Sequence, residues 1–259
     1  MSVTSWDYSG SRVVVTGGTK GIGRTIVERY LAAGADVLTC ARTEPETLPS
    51  AGGRTARFLA TDVRDVAQLE ALAGAAIDAW GGIDVLVNNA GGSPHVDAAT
   101  VSPRFSESII ALNLVAPLNL AQIANRQMQQ QADGGVIVNI ASVSGVRPSP
   151  GTAAYGAAKA GLLSLVSSLA VEWAPKVRVV GVTCGLIATE QAELHYGDDA
   201  GVAAVAGTVP LGRMGTPDDV ADACLFLGSA QAAYVSGSSL TLHGGGEWPA
   251  FLAAASPTH

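Results

Sequence analysis

The chain has few charges. Lys, Arg, Asp and Glu make up 14% of its 259 residues, while 48% are apolar. That balance suits a large buried core. The net charge of −7 argues against nucleic acid or an anionic membrane as the main partner. There are only three cysteines, Cys40, Cys184 and Cys224, far apart and without CxxC spacing. They read as ordinary reduced thiols of a cytosolic protein. The segment MSVTSWDYSG has neither a basic patch nor an apolar stretch, so no signal peptide is expected there. The longest apolar run, around AGLLSLVSSLAV, reads as too short and too serine-rich to cross a bilayer. His95, His195, His243 and His259 show no metal-ligand spacing. Soluble, cytoplasmic and without a metal is the expectation.

What is present is an alternation of short β-branched runs with long helical stretches. The strand candidates are 12–16, 36–40, 56–60, 84–88, 136–140, 177–183 and 239–243. Between most of them lie Ala- and Leu-rich segments with helix signals, such as TPDDVADACLFLG, where Thr216 is an N-cap and Pro217 the first helical residue. Continuous apolar strands separated by helices predict a parallel sheet covered on both faces. No linker, repeat or low-complexity stretch divides the chain. The expected architecture is α/β, a single doubly wound Rossmann domain over residues 1–259, with a seven-stranded parallel sheet. Residues 186–209 form a long insertion of the kind that makes a substrate-binding lid.

The first strand runs into TGGTKGIG (16–23) and then a helix. Gly17, Gly21 and Gly23 would let the backbone approach a pyrophosphate whose charge the helix N-terminus stabilises. The spacing is G-x-x-x-G-x-G, not the general G-x-G-x-x-G. NNAG (88–91) follows the fourth strand at a carboxyl end of the sheet, where open α/β sheets bind ligands. Its asparagines can bond neighbouring backbone. The fifth strand ends in ASVSG, which puts Ser142 at the same edge. Thirteen residues later comes Tyr155, then Lys159 one helical turn on, in the run AAYGAAKAG.

T-G-x-x-x-G-I-G, N-N-A-G and a serine thirteen residues before Y-x-x-x-K stand here in order. In this set the sequence resembles the short-chain dehydrogenase/reductase family, from about Gly10 to Gly246. The resemblance implies a catalytic group of Asn113, Ser142, Tyr155 and Lys159. It also implies a dinucleotide held by Gly17, Thr19, Lys20, Gly21, Ile22, Gly23, Arg42, Asp62, Val63, Asn89, Ala90, Gly91, Tyr155, Lys159, Gly185, Ile187 and Thr189. Lys159 would bind the ribose hydroxyls, Asn113 would seat a water connecting Lys159 to solvent, and Thr189 would bond the nicotinamide carboxamide. Cys184-Gly185 stands where the family has Pro-Gly, which puts the local backbone there in question.

The chemistry of the residues agrees with this. Reducing a ketone with hydride leaves an alkoxide that needs a proton. A free tyrosine, with a pKa of about 10, is a ready donor but a poor base at neutral pH. An ammonium one turn away would favour the phenolate, and a drop of ~3 units corresponds to ~4 kcal/mol. Tyr155 is then the general acid for reduction and base for oxidation, with Ser142 holding the substrate oxygen. On this reading the small residues around Tyr155 leave room for the cofactor. Ser142 lies in IASVSG, not in a G-x-S-x-G elbow, so a serine hydrolase is disfavoured. Lys20 occupies the place where a sugar epimerase of the extended family needs a glycine. A catalytically inactive dinucleotide-sensing regulator of the same fold is the remaining alternative; it would be expected to lack Tyr155 or Lys159.

The second strand ends LTCARTEP, with no carboxylate at its tip and Arg42 as the first charge. This predicts NADP(H) rather than NAD(H), with Lys20 as a second cation and NAD(H) left open. Glu44 and Glu46 are near enough in sequence to neutralise both. The loops GSPHVD and VSGVRPSPG and the insertion carry mostly small apolar residues, which predicts a small-molecule substrate that is bulky and apolar, steroid-like or an acyl thioester. Arg147 could meet an anionic group of such a substrate, or be a surface charge. RQMQQQADGG and VEWAPK lack the basic residues that reductases acting on acyl-carrier protein usually show. EWAPKVRVV, LHYGDDAGVAAV and HGGGEWPAFL resemble actinobacterial members linked to steroid-ring breakdown. The helix 152–173 is apolar on nearly every side, so self-association to a dimer or tetramer is expected.

Overall fold

The computed structural model describes residues 6–190 and 198–254. Part of the expected lid insertion, 191–197, therefore lies outside the described residues, as do His195 and His259.

Seven strands join one sheet: β1 (Arg12–Thr16), β2 (Asp36–Ala41), β3 (Arg57–Ala60), β4 (Val85–Asn88), β5 (Gly135–Ser142), β6 (Val177–Cys184) and β7 (Ser239–Leu242). Their spatial order is β3-β2-β1-β4-β5-β6-β7, every pair parallel. Alternation along each strand sends side chains to two cores. Val13, Val15, Val85, Val87 and Val180 face one core, and Val14, Leu86, Ile137 and Val179 the other. Both faces are buried, which is why the strands read as continuous apolar runs.

Helices α1 (Gly21–Ala32) and α7 (Pro217–Gly228) cover the first face. The second is covered by α2 (Val66–Trp80), α4 (Ala116–Met128) and α5 (Ala153–Trp173). Helix α3 (Pro103–Ile110) continues into α4 through a π-helical turn, Ala111–Val115. Pro117 has no N–H to give the carbonyl of Asn113, four residues back, which favours a widened turn there. Helix α6 (Asp199–Gly207) belongs to the insertion, and a short α8 (Ala250–Ala254) ends the described chain. Thr216 caps α7 in a reciprocal capping box with Asp219.

Two expectations need amendment. The apolar run of α5 belongs to a 21-residue helix, long enough to cross a bilayer by length and composition, as is Pro103–Met128. It lies instead against β5 and β6. A small antiparallel hairpin, Ser50–Ala51 with Arg54–Thr55, was not expected. It turns through Gly52 and Gly53 at φ +59° and +73°.

Candidate active site

The strand order reverses between β1 and β4, and a crevice opens at the carboxyl ends of the strands there. The NNAG loop is fastened to the first turn across it. The backbone N–H groups of Asn89 and Ala90 both donate to Thr16 Oγ1 at 3.0 Å, and Asn89 Nδ2 donates to the carbonyls of Thr16 and Gly17. Gly17 takes φ +66° beneath this clasp, and a Cβ on Gly23 would sit 2.2 Å from the Gly17 carbonyl oxygen. Behind it, Asn88 Nδ2 donates to Asn139 Oδ1 at 3.0 Å, so β4 and β5 are locked in register at their functional ends.

A cleft of about 770 Å³ runs along this edge. Every residue named above for the dinucleotide lines it, from Gly17 and Lys20 through Arg42, Asp62 and Asn89 to Gly185 and Thr189, together with Ser142, Tyr155 and Lys159. Asn113 alone stands behind the wall. It is fully buried, with Oδ1 accepting from Gly92 N at 2.9 Å and Nδ2 donating to the carbonyls of Gly92 and Ile109. Cleft residues that sequence reasoning missed include Arg64, Leu112 and Glu190. No motif marks them; only the fold brings them to this edge.

A nicotinamide dinucleotide suits this cleft. A Cβ on Gly91 would crowd Asn113 Oδ1 at 2.7 Å and Lys159 Nζ at 3.4 Å, so only glycine keeps that wall flat. Gly21, at φ +51°, opens helix α1, whose N-cap Lys20 makes no side-chain capping bond. The helix therefore begins facing the cleft with its positive end. Neither Lys20 nor Arg42 forms an ion pair with Glu44, Glu46 or any other carboxylate among the described residues.

At the other end Ser142 finishes β5, its hydroxyl accepting from Ser144 N at 3.1 Å. Helix α5 presses on that turn backbone to backbone. A Cβ on Gly145 would lie 2.7 Å from Ala160 N, and one on Gly156 2.8 Å from Ser144 O. Gly145 and Gly156 thus bring the helix onto the turn that carries Ser142, while Ala153, Ala157 and Ala160 face outward.

Lys159 is 4% exposed and donates from Nζ to the Ile140 carbonyl at 2.7 Å. Nζ sits 5.5 Å from the centre of the Tyr155 ring. Burial, not the lysine, dominates the tyrosine: it pushes the Tyr155 hydroxyl above 10, while the adjacent Ser142 hydroxyl pulls it down and the Cys184 sulfur adds a smaller upward push. Burial also lowers Lys159 to about 8. The expected lowering of Tyr155 by Lys159 is therefore not seen, and the tyrosine is raised instead. The four-residue spacing places the ammonium near the ring, but its charge is spent on a carbonyl and weakened by desolvation.

Cys184 continues β6 beside Ser142 and Leu242, which resolves the question about its backbone. Burial drives its thiol up to about 12, against a smaller downward pull from Lys159, so the thiol is protonated where it lines the cleft. Arg147 is engaged by Glu247 at 2.7 Å and is not an uncompensated anion site.

A family model described as enoyl-(acyl carrier protein) reductase matches residues 17–247. The chain belongs to the short-chain dehydrogenase/reductase family. It is 35% identical over 251 residues to the 3beta-hydroxysteroid dehydrogenase 1 of Eggerthella lenta, covering 92% of this chain and 94% of that protein. It is also 35% identical over 242 residues to the 3-oxoacyl-(acyl-carrier-protein) reductase of Vibrio harveyi, covering 92% and 98%. The ligand-free aldohexose dehydrogenase of Thermoplasma acidophilum superposes with a TM-score of 0.84 at 29% identity, over 98% of this chain and 97% of that one. This short-chain dehydrogenase/reductase is accordingly an oxidoreductase of alcohols and ketones that uses a nicotinamide dinucleotide.

Proposed function

We propose that the protein interconverts a bulky, apolar ketone and its secondary alcohol with NADP(H), using Tyr155 as acid and base. The observation that carries this is that Ser142, Tyr155 and Lys159 line the same cleft as two cations that form no ion pair among the described residues, Lys20 and Arg42. Bound nicotinamide supplies hydride for reduction and accepts it in oxidation. In reduction the substrate carbonyl oxygen sits between the Ser142 and Tyr155 hydroxyls. Tyr155 would give its hydroxyl proton to that oxygen, which leaves a secondary alcohol and a phenolate to be reprotonated from solvent. Ser142 holds the developing negative charge. The raised tyrosine keeps its proton at neutral pH, which favours the acid role. For oxidation Tyr155 must first lose that proton, and the adjacent Ser142 hydroxyl is the neighbour that favours the phenolate. Asn113 positions the Gly91–Gly92 wall that Lys159 faces.

The preference for NADP(H) rests on Lys20 and Arg42 and on the absence of a carboxylate at the end of β2. For the substrate, Leu112 and Ile140 line the cleft, and Val146 and Leu211 are exposed on neighbouring loops. The hydroxysteroid dehydrogenase among the relatives is in keeping with this. An acyl-carrier-protein substrate is less suited. At the ends of α4 and α5, Arg126 is held by Glu70 and Lys176 Nζ is bonded to the carbonyls of Gln131 and Ala132, so these helix ends offer few cations to an acidic partner. The test is nicotinamide absorbance against steroid, acyl-thioester, sugar and simple ketone substrates with each dinucleotide. Steroid-like turnover with NADPH is expected; turnover confined to sugars would overturn the substrate proposal.

A further inference from the structure

Strand β3 ends at Ala60, paired with Ala41 of β2, so Arg42 and Asp62 leave the sheet on adjacent strands. Thr61 N donates to the Ala41 carbonyl at 2.9 Å and holds the two chain segments together there. Both Arg42 and Asp62 line the cleft at the end remote from Tyr155. Unlike Arg42, Asp62 is fully engaged. Arg64 gives Oδ1 its backbone N–H at 3.0 Å and Nε at 2.9 Å, and gives Oδ2 its Nη2 at 2.6 Å. A carboxylate held by a guanidinium fork and a backbone N–H has a fixed orientation. Arg64, with a smaller push from Arg42, holds this one at about 2, so it stays charged at every pH of interest.

An anionic side chain next to Arg42 has two ways to spoil a phosphate site. It can repel the phosphate, and it can capture the arginine. With its oxygens bonded to Arg64, Asp62 acts on Arg42 only at a distance and forms no ion pair with it. We propose that Arg64 is a positioning residue for cofactor choice: by holding the Asp62 carboxylate it keeps Arg42 free for the 2′-phosphate of NADP(H). The inference rests on the NADP(H) reading above and adds to it a residue that does not itself need to touch the phosphate.

Isothermal titration with adenosine 2′,5′-bisphosphate and with adenosine 5′-monophosphate separates the two ideas, because they differ only in the 2′-phosphate. The readout is the ratio of the two dissociation constants in the wild type, Arg64→Ala, Arg64→Lys and the double variant Asp62→Asn/Arg64→Ala. An unmasked charge a few ångströms away in a solvated cleft is worth about five- to tenfold. Arg64→Ala is expected to lower the preference for the bisphosphate by that amount, Arg64→Lys to keep part of it, and the double variant to recover most of it. Equal weakening of both ligands by Arg64→Ala would mean a purely structural role and overturn the proposal. So would an unchanged ratio, or a double variant that stays as poor as Arg64→Ala, since Arg64 would then contact the phosphate itself. A wild type that does not distinguish the ligands overturns the NADP(H) reading together with this one. A wild type that does, with Arg64→Ala unaffected, overturns only this one.

Discussion

Lys159 shows how far a residue's environment can depart from its spacing. Its ammonium is buried, bonded to one carbonyl and lowered to about 8. Between about pH 8 and 10.5 the unfolded chain then holds a proton that the folded chain has released, so stability contributed by this group rises with pH across that window. The cofactor-free wild type should gain roughly 3 kcal/mol over this range relative to Lys159→Met. Denaturant melts at stepped pH would measure it, and parallel curves for the two proteins would contradict the burial argument. Lys20 and Arg42 make a different prediction. Changing them to Ser and Asp puts a ribose acceptor where two cations stood, and should reverse the ratio of kcat/KM for the two dinucleotides. An unchanged ratio would show that neither residue reads the phosphate. The presence of Lys20, Arg42 and Ser142 in one cleft was legible in the sequence because each lies at or just after a strand end, and Tyr155 and Lys159 joined them through the family resemblance. The direction of the tyrosine's shift was not, since spacing says nothing about where a lysine's nitrogen points or how deeply it is buried. Arg64 was invisible for the same reason: its meaning comes from Arg42 on the adjacent strand.

At the scale of elements, the sheet was readable because parallel strands buried on both faces must be apolar throughout. The assigned strands differ from the expected ones by a residue or two at their ends, the usual uncertainty of frayed termini. The hairpin at 50–55 escaped because its strands are two residues each and carry no period. The π-helical turn at Asn113 gives no pattern either, although Pro117 supplies a cause after the fact. Two predictions belong here. Thr216→Ala removes one arm of the α7 capping box and should cost about 1 kcal/mol of stability without touching the cleft. Gly23→Ala puts a Cβ 2.2 Å from the Gly17 carbonyl and 2.4 Å from Asn89 Nδ2. It should displace the first turn, lose dinucleotide binding and destabilise the fold by about 1–3 kcal/mol. Calorimetric binding together with a melt distinguishes these effects, and normal dinucleotide affinity in Gly23→Ala would contradict the clasp.

On the scale of the whole molecule, the outer face of α5 remains uncovered. Ala153, Ala157, Ala160, Ser164, Ser168 and Val171 form one exposed row, and Val171 is 81% exposed. Beside it the α3–α4 helix exposes Val115. Rows of small residues let two helices approach closely, so we expect this face to meet its own copy in a dimer within a tetramer; light scattering at micromolar concentration should find no monomer. The reaction itself turns on one proton. Tyr155→Phe keeps the ring against Lys159 and removes only the hydroxyl. With a substrate established in the absorbance panel, its kcat should fall below detection while calorimetric affinity for the dinucleotide stays within about twofold of the wild type, a difference of ~0.4 kcal/mol. Turnover within about tenfold of the wild type, ~1.4 kcal/mol of barrier, would show that the proton comes from elsewhere and contradict the account.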